Sequence, residues 1–428
     1  MVIKNGIVFN YRPTLNGEKL DIKIENGYIT AIDRNLKTGR NEEVIDATGM
    51  YVIPGLIDLH SHFRVPGEEY KEDFVTGSNA AAKGGITTAI AMPNTSPPID
   101  NPAILREICK RAKKEGEIEI FLSSAITKNR EGKELVSIRN NKKAGAIFFT
   151  DDGSDINDLS LIFEMLKEAK RERVLIFVHP EWHSLTRGKF FSYGRLNEHF
   201  KMEGQLDDAE SLSIIIEGLV AGFLKSRIHF THISTEKSIK ALNFLKSKFP
   251  NLITCDTTPH HLILNDMDLI QPSIDTNKKI NPPLRSEKDR LSLEKGIIEG
   301  VIDCIATDHA PHSEKEKNQK IEKAPYGTIG FETFLPVTFT YLVKQKNFSI
   351  LDWIKLVSYN PSLIAKIKKR GSIKVGNVGN ITIFNPDEEI KVERKFFLSK
   401  SKNSAFIGKS FYGRVYFTIC QGKIVFKS

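Results

Sequence analysis

Short apolar segments alternate with longer helical patterns through the middle of the chain. Each segment is five to seven residues long and rich in Ile, Val, Phe or Thr, as buried parallel strands are. The segments are GLIDLH (55–60), ITTAIAM (86–92), IEIFLSS (118–124), GAIFFT (145–150), RVLIFV (173–178), RIHFT (227–231), LITCD (252–256) and DCIAT (303–307). Eight strands, each followed by helical sequence, predict a (β/α)₈ barrel of the TIM type over residues 53–370.

Capping signals delimit the clearest helices between these strands. Asn101 can cap a helix over 102–115, which begins with proline, and Gly116 can end it. Similar reasoning predicts helices over about 208–225 and 235–248, the latter stopped by a following proline.

Both ends of the chain have a sequence pattern that differs from that of the middle. Residues 1–52 and 371–428 hold short strand-like runs, and Asn-Gly turns such as Asn5-Gly6 and Asn26-Gly27 punctuate the first of them. We expect the two ends to pack into one small composite β-sandwich domain beside the barrel domain. The predicted fold class is therefore α/β.

Composition limits the classes of protein that remain. With 428 residues, 40% of them hydrophobic, the chain is too long and too apolar to be intrinsically disordered. The first twenty residues lack the apolar core of a secretory signal, and no apolar run reaches the roughly 18 residues of a membrane span. The four cysteines form no CxxC pair. We expect a cytoplasmic protein with no membrane partner.

The formal net charge of +9 does not by itself indicate a function. A basic surplus occurs in proteins that bind nucleic acid or anionic substrates, but also on ordinary lysine-rich surfaces. Basic stretches such as AKIKKRG (365–371) are short and lack interleaved aromatic residues. No nucleic-acid-binding module is recognisable, so no nucleic-acid partner is expected.

Side chains suited to metal binding stand where the predicted strands end. The C-terminal ends of barrel strands meet at one face, which carries the functional residues. The candidates at these ends are His60, His62, Asp151, Asp152, His179, His232 and Asp308. Each alone would more often be a buried histidine or a helix cap, but imidazole and carboxylate together suit Zn²⁺ or a similar divalent ion. Their conjunction at one face predicts a metal centre.

Such a centre has a definite chemistry. Zinc lowers the pKa of bound water to about 7, so hydroxide becomes available as a nucleophile near neutral pH. Asp308 would lie beside that water and could take its proton as the general base. A pair of metal ions would need a bridging anion, and a carboxylate can serve.

Longer motifs indicate a family. They are DLHSHFRVPG (58–67), KEDFVTGSNAAAKGGITTAIAMPNT (71–95), FTDDG (149–153), HPE (179–181), HISTEKS (232–238), TTPHHL (257–262), KINPPLRSEKDR (279–290), IATDHAPHSEKEK (305–317) and YGTIGFET (326–333). These motifs span nearly the whole chain. The sequence resembles the dihydroorotases of the amidohydrolase superfamily, in the class I type that occurs as a separate bacterial chain. HFRxPG together with MPNT separates this family from allantoinases and dihydropyrimidinases.

The resemblance implies a role for each candidate ligand. His60 and His62 would bind the more buried metal with Asp308, and His179 and His232 would bind a second. Asp152 would bridge in place of the carboxylated lysine of other branches, since no lysine stands at positions 144–155. Successive strand residues point oppositely, so only one of Asp151 and Asp152 should face the metals, and the family pattern selects Asp152. One or two Zn²⁺ per chain both remain open.

The resemblance also implies a substrate clamp. A planar guanidinium can hold a carboxylate through two hydrogen bonds, and Arg64 would hold the non-reacting carboxylate of the substrate with Asn94 and His312. Asn281 and the Tyr326–Gly327 backbone would address the ring amides. The expected substrate contacts are therefore His62, Arg64, Asn94, Asn281, His312, Tyr326 and Gly327.

The implied activity is reversible ring closure of N-carbamoyl-L-aspartate to (S)-dihydroorotate and water, a step of de novo pyrimidine (UMP) biosynthesis. One alternative is another cyclic amidohydrolase, either a hydantoinase (dihydropyrimidinase) or an allantoinase. Another is a non-catalytic dihydroorotase-like subunit of an aspartate transcarbamoylase complex, which the complete ligand set disfavours. A homodimer and a complex with aspartate transcarbamoylase stay open. His260, His261 and the segment 183–211 receive no role.

Overall fold

The strands of the chain fall into two separate sheets. The computed structural model describes residues 1–154 and 156–428. The strands in these residues are β1 (Val2–Asn10), β2 (Leu15–Glu25), β3 (Tyr28–Asp33), β4 (Val44–Asp46), β5 (Tyr51–Pro54), β6 (Leu56–Ser61), β7 (Ile86–Ala91), β8 (Glu119–Ser124), β9 (Ala146–Phe149), β10 (Ile176–Val178), β11 (Ile228–Phe230), β12 (Ile253–Thr257), β13 (Cys304–Ile305), β14 (Ile381–Lys391), β15 (Ser410–Cys420) and β16 (Lys423–Lys427).

Helices fill most of the connections between the strands of the barrel. They are α1 (Phe74–Lys83), α2 (Pro102–Glu115), α3 (Ile138–Ala144), α4 (Leu159–Glu172), α5 (His183–Thr186), α6 (Leu196–Phe200), α7 (Asp208–Leu224), α8 (Glu236–Lys248), α9 (Pro259–Ile263), α10 (Glu287–Ile298), α11 (Glu314–Lys317), α12 (Phe334–Thr338), α13 (Ile350–Ile354) and α14 (Asn360–Ile364). The π-helical segments Phe339–Gln345 and Lys355–Tyr359 continue α12 and α13.

The first sheet is the predicted parallel barrel. Strands β6 to β13 pair in sequence order, and a parallel bridge between Ser61 and His309 joins the last strand region to the first. Each of the eight apolar segments coincides with one of these strands to within one residue at its C-terminal end or contains it. Every residue of β6, β7 and β10 is buried, because helices cover the outer face while side chains fill the interior. The predicted α/β barrel fold is confirmed.

Local capping chemistry sets the helix ends that the sequence predicts. The side chain of Asn101 accepts hydrogen bonds from the backbone N–H groups of Ala103 and Ile104, both at 3.1 Å, at the start of α2. The backbone N–H of Gly116 donates to Ala112 at the other end. Thr235 caps α8 in the same way, through the N–H of Ser238.

The second sheet draws its strands from both ends of the chain. Its order is β16-β15-β14-β5-β1-β2-β3, with β4 paired to β1. Its core is formed by aliphatic side chains from both termini, among them Ile3, Ile22, Ile381 and Ile419. The composite β unit is therefore built as expected, while the domain limits 1–52, 53–370 and 371–428 stay predictions.

A single glycine connects the two sheets where the site begins. Gly55 alone separates β5 from β6, the strand that carries His60. A Cβ atom at Gly55 would lie 2.3 Å from the side chain of Thr87 in the neighbouring strand, so only glycine fits there. The terminal sheet thus anchors the start of the barrel. In the described residues, no helix has the length and apolar character that a bilayer crossing needs.

Candidate active site

The predicted metal ligands lie together at the C-terminal ends of the barrel strands. His60 belongs to β6, and the others follow β6, β9, β10, β11 and β13 in the order His62, Asp152, His179, His232 and Asp308. All are buried, with 1–8% of their surface exposed. All except His60 line one cavity of about 310 Å³, a volume that suits a small organic ligand.

The donor atoms of these residues form two groups that share His60. One group contains His62 and Asp308, and the other contains Asp152 and His232; within each, the ligand atoms lie within 4.8 Å of one another. Nε2 of His60 is 3.1 Å from Oδ1 of Asp152. Nε2 of His62 is likewise 3.1 Å from Oδ1 of Asp308. Five of the six expected ligands are therefore brought together around two adjacent positions.

His179 lies beside these groups. Among the described residues it completes neither donor cluster, and its ring meets that of His232 edge-on with the centroids 4.5 Å apart. Its Nδ1 is 3.5 Å from Oε2 of Glu181, and its Nε2 is 3.4 Å from Nδ2 of Asn281. The ligands expected for a second metal ion are therefore less closely grouped than those expected for the first.

Hydrogen bonding turns one nitrogen of His60 toward the centre. Nδ1 of His60 lies 2.7 Å from Oγ1 of Thr231, and the Thr231 hydroxyl reaches Asp256 at 3.1 Å. An ionised carboxylate only accepts hydrogen bonds, so the hydroxyl donates to Asp256 and accepts from His60. A neutral His60 ring would therefore carry its proton on Nδ1, and the lone pair of its Nε2 would face Asp152.

His62 is oriented by an amide. Nδ2 of Asn94 donates to Oδ2 of Asp152 at 2.9 Å, so the oxygen of the same amide faces Nδ1 of His62, also at 2.9 Å. Because that oxygen accepts, Nδ1 carries a proton and Nε2 of the neutral ring directs its lone pair at Asp308. Burial lowers the pKa of His62, which favours the neutral ring. Asn94 therefore touches two expected ligands.

These contacts fit a bound cation. A ring nitrogen lone pair that faces a carboxylate oxygen at 3.1 Å is repelled by it unless a proton or a metal ion lies between the two atoms. In addition, Nε2 of His60, Oδ1 of Asp152, Nδ1 of His179 and Nδ1 of His232 are buried and have no hydrogen-bond partner among the described residues. Buried polar atoms are rarely left unpaired. The donor set of imidazole and carboxylate suits a divalent metal ion.

The electrostatics of the cluster also favour positive charge. Burial alone would lower the pKa of His60, but the carboxylates of Asp152 and Asp308 outweigh it and raise that pKa to about 10, so without a metal ion a proton on the ring supplies the positive charge beside these carboxylates. Conversely, burial would raise the pKa of Asp308, but the imidazoles of His60 and His62 hold it below its usual range. The pKa of Asp152 is lowered in the same way, chiefly by His60 against the effect of burial. Both carboxylates are ionised.

The neighbouring aspartates have different surroundings. Asp151 accepts hydrogen bonds from the backbone N–H groups of Ile126 and Thr127 at 2.8 and 3.1 Å, and from the Thr127 hydroxyl. It is thus engaged with the loop after β8. Asp152 is the one that faces His60, and its role as a bridging ligand stays a prediction.

Three residues of the site have a left-handed backbone. The φ angles are +60° at Arg64, +38° at His232 and +46° at Asp308. Side chains with a Cβ atom rarely adopt this region, and such conformations concentrate at functional sites, where the surrounding structure holds them. The backbone therefore turns sharply at the points where these side chains enter the cavity.

The residues of the expected carboxylate clamp line the same cavity as the expected metal donors. Arg64 is 8% exposed; its Nε donates to the carbonyl of Pro311 at 3.1 Å, and its Nη2 lies 3.2 Å from Nε2 of His312. Burial and the charges of Arg64 and Lys317 lower the pKa of His312, so its ring is neutral. Among the described residues no carboxylate is hydrogen-bonded to this buried guanidinium, which is therefore suited to bind an anion.

The other expected contacts also line the cavity. Nδ2 of Asn281 donates to Oε2 of Glu181 at 2.9 Å. Tyr326 is 39% exposed and its hydroxyl donates to the carbonyl of Lys189. Gly327 has both backbone groups engaged: its N–H donates to Lys279 at 2.9 Å and its carbonyl accepts from Lys317 at 2.8 Å. A ligand that forms hydrogen bonds with the backbone of Gly327 would have to do so in addition to these two bonds.

Comparison with known proteins identifies the family. A family model described as "Amidohydrolase family" matches residues 51–425. A dihydroorotase of Aquifex aeolicus is 38% identical over 427 residues, covering 100% of this chain and 99% of its own. A dihydroorotase of Clostridioides difficile is 39% identical, with 100% of both chains covered. The chain belongs to the dihydroorotases of the amidohydrolase family.

Solved structures share the fold of this dihydroorotase family member. An L-hydantoinase (dihydropyrimidinase) from Arthrobacter aurescens superimposes with a TM-score of 0.87 at 24% identity, covering 100% of this chain and 96% of its own. A dihydropyrimidinase from Brevibacillus agri gives a TM-score of 0.85 at 21% identity, with 100% and 95% covered. At these identities the likeness concerns the fold alone. By family, the chain is a metal-dependent cyclic amide hydrolase.

Sequence reasoning missed several residues that support the site of this dihydroorotase relative. Thr231 and Asp256 lie within predicted strands, and nothing in the sequence distinguishes them from ordinary strand residues. Asn403 lies in the C-terminal segment; its side chain accepts from the N–H of His312 at 3.1 Å and donates to the carbonyl of Ala310 at 3.1 Å. A lone asparagine in a polar stretch carries no signal for such a contact.

His260 and His261, which had no predicted role, lie buried behind the cavity. Nδ1 of His261 is 2.8 Å from the hydroxyl of Thr258, and its Nε2 is 3.0 Å from the carbonyl of Pro282. Burial lowers the pKa of His261 to about 4. His261 thus ties α9 to the segment that carries Asn281.

Proposed function

We propose that the chain is a zinc-dependent dihydroorotase that interconverts N-carbamoyl-L-aspartate and (S)-dihydroorotate. The observation that carries this proposal is the buried Arg64–His312 pair in the same cavity as the metal-donor cluster. Dihydroorotate has one carboxylate that does not react, and a cationic clamp beside a hydrolytic centre matches that shape. The dihydroorotase names of the full-length relatives support the same substrate.

The expected metal ligands divide into two sets. His60, His62 and Asp308 would hold one ion, and His179 and His232 would hold a second, with Asp152 between them. A divalent ion bound there supplies Lewis-acid activation of water and of the amide carbonyl. Zinc is the preferred ion because the donors are imidazole and carboxylate in a buried site.

Asp308 is the proposed general base and acid. Neighbouring imidazoles hold its pKa low, so its carboxylate is ionised and ready to accept a proton. In hydrolysis it takes the proton of the attacking water and passes it to the ring nitrogen as the amide bond breaks. In ring closure the same carboxylate moves the proton in the opposite direction.

Arg64, Asn94 and His312 orient the substrate. The guanidinium of Arg64 would form two hydrogen bonds to the spectator carboxylate, and His312 would support it from the side. Asn281 would meet the ring amides next to His179. This fixes the scissile bond relative to Asp308 and disfavours dihydrouracil, which has no carboxylate to pair with Arg64. His62 contributes as a ligand and as a wall of the cavity.

The experiment that tests this function compares substrates. The purified, zinc-loaded chain is assayed with dihydroorotate, hydantoin, allantoin and dihydrouracil under identical conditions. We expect kcat/KM for dihydroorotate to exceed the others by about a hundredfold or more, because a buried charged partner left unpaired is costly. A preference for hydantoin or allantoin would contradict the proposal that dihydroorotate is the substrate. A cytoplasmic location, a homodimer and a complex with aspartate transcarbamoylase stay predictions.

A further inference from the structure

Two lysines are buried behind the wall of the cavity. Lys279 and Lys317 are each only 3% exposed. In the described part of the chain neither forms an ion pair; Asp275, which is close in sequence to Lys279, pairs with Lys278 instead. Lysine is almost never fully buried without a partner, so these two side chains need a physical reason.

Both ammonium groups are bonded to carbonyls of one loop. Nζ of Lys317 donates to Pro325 at 2.9 Å and to Gly327 at 2.8 Å. Nζ of Lys279 donates to Ile321 at 2.6 Å and to Glu322 at 3.2 Å. The loop 321–327 lies outside the helices and strands, so these carbonyls have no partner from regular structure.

The same loop forms one wall of the cavity. Pro325, Tyr326 and Gly327 line it together with the expected metal donors. Nζ of Lys279 also lies 4.7 Å from the ring centre of Tyr326, within range of a cation–π contact. The backbone N–H of Gly327 donates to the carbonyl of Lys279 at 2.9 Å. One lysine therefore holds each half of the loop, and Lys279 also contacts Tyr326 and Gly327.

The loop is closely packed at Gly327, where there is no room for a side chain. Gly327 has φ of +136°, and a Cβ there would lie 2.8 Å from both the Cβ and the carbonyl oxygen of Ala310. The loop thus lies against the segment between Asp308 and His312. A shift of the loop would change the space beside Arg64 and His312.

We propose that Lys279 and Lys317 are positioning residues that hold the loop 321–327 as a preformed wall against the substrate. Their role rests on the proposed function, since the loop matters for turnover only if the ligand occupies this cavity. Each amine donates to two carbonyls of the loop, and these hydrogen bonds are charge-assisted when the amine is protonated. Burial lowers the pKa of Lys279 to about 8 and that of Lys317 to about 7, so the geometry of the donors, rather than a fixed charge, is what both share. Lys317, when protonated, also places positive charge near His312, on the side where an anionic group of the substrate would bind.

The test compares Lys317→Met and Lys279→Met with Lys323→Met, an exposed lysine of the same loop. Methionine keeps much of the side-chain length but removes the donors. Amide hydrogen exchange is measured over 321–327 without substrate, and kcat, KM for dihydroorotate and zinc content are measured for each variant. The N–H groups of Lys323, Ala324 and Gly327 are hydrogen-bonded and report directly on the loop.

We expect exchange of these amides to rise about tenfold or more in both buried-lysine variants, because each loses two hydrogen bonds to carbonyls of the loop. KM should rise about tenfold while kcat falls less than about threefold and zinc content is unchanged. The control should match the parent protein. If Lys317→Met does not fold, Lys279→Met carries the test, since it releases the other half of the loop.

Unchanged exchange in a folded variant would overturn the proposal, as would a loss of kcat and zinc with KM unaltered. The exchange measurement uses no substrate. A parent protein that fails to convert dihydroorotate would therefore refute the proposed function, while the exchange data would still decide whether the lysines hold the loop.

Discussion

Nδ1 of His60 lies 2.7 Å from the hydroxyl of Thr231, which in turn donates to the carboxylate of Asp256. Asp256 also accepts from the backbone N–H of His232 at 2.6 Å and from Nε2 of His229 at 2.9 Å. One buried carboxylate therefore controls the orientation of His60 through a hydroxyl and of His232 through its backbone. Such outer contacts fix the tautomer and direction of metal ligands.

Thr231→Val should weaken metal binding. Valine has nearly the same shape but cannot accept the proton of His60 Nδ1, so the ring loses its orientation. We expect zinc affinity, measured by competition with a chelator, to fall about 10- to 100-fold. Thr254→Val is the matched control, because that hydroxyl bonds His229 on the far side of Asp256. Equal zinc affinity in Thr231→Val and the parent protein would show that the hydrogen bond from His60 to Thr231 does not support metal binding.

Asp308→Asn should remove most turnover while the protein keeps at least one metal ion. The amide cannot take a proton from water, and general base catalysis contributes roughly 10²- to 10⁴-fold. Steady-state kinetics with dihydroorotate and metal analysis on the same sample provide the measurement. Full activity in this variant would refute the proton-transfer role of Asp308.

Arg64→Met should affect substrate binding far more than metal content. The substitution removes the buried cation that lies 3.2 Å from His312. We expect KM for dihydroorotate to rise about 30-fold or more, because a charged hydrogen-bonded pair is lost. Dihydrouracil, which lacks the carboxylate, should be affected little. An unchanged KM for dihydroorotate would show that Arg64 does not bind the carboxylate of the substrate.

Glu217 in α7 should make the protein less stable as pH rises. It is 4% exposed, and burial raises its pKa from 4.5 to about 7, while Ser213 donates to it at 2.8 Å. The folded state binds the proton more tightly than the unfolded state. The resulting stability is complete below about pH 4.5 and is lost as pH rises through about 7.

Glu217→Gln should therefore flatten this pH dependence. The melting temperature of the variant should exceed that of the parent by about 2 °C or more at pH 8, with a smaller difference at pH 5. Glu164→Gln, at an exposed position of α4, is the control. If the parent and Glu217→Gln lose stability equally between pH 5 and 8, the buried proton is not the cause.

Much of the fold follows from local sequence. Strands buried on both faces need continuous apolar segments, and such segments can be recognised in the sequence alone. The ends of α2 follow from Asn101 and Gly116, because capping involves neighbouring residues only. The ligand positions were predictable for a related reason: strand C-termini converge on one face of a barrel.

The supporting contacts were not predictable because they join segments that are distant along the chain. Asn403 reaches His312 across 91 residues, and Thr307 reaches Asp58 across 249. Only the folded chain brings such pairs together. Likewise, the buried positions of Lys279 and Lys317 could not be inferred, since lysine in a motif is usually at the surface.

The central claim is that this cavity binds metal and dihydroorotate together. The most direct measurement titrates the metal-free chain with Zn²⁺ while following the hydrolysis of dihydroorotate. We predict that the metal-free chain is inactive and that activity appears as zinc is bound, reaching a plateau at one or two equivalents per chain. Activity that is unchanged by complete metal removal, or a zinc-loaded chain without dihydroorotate turnover, would contradict the account.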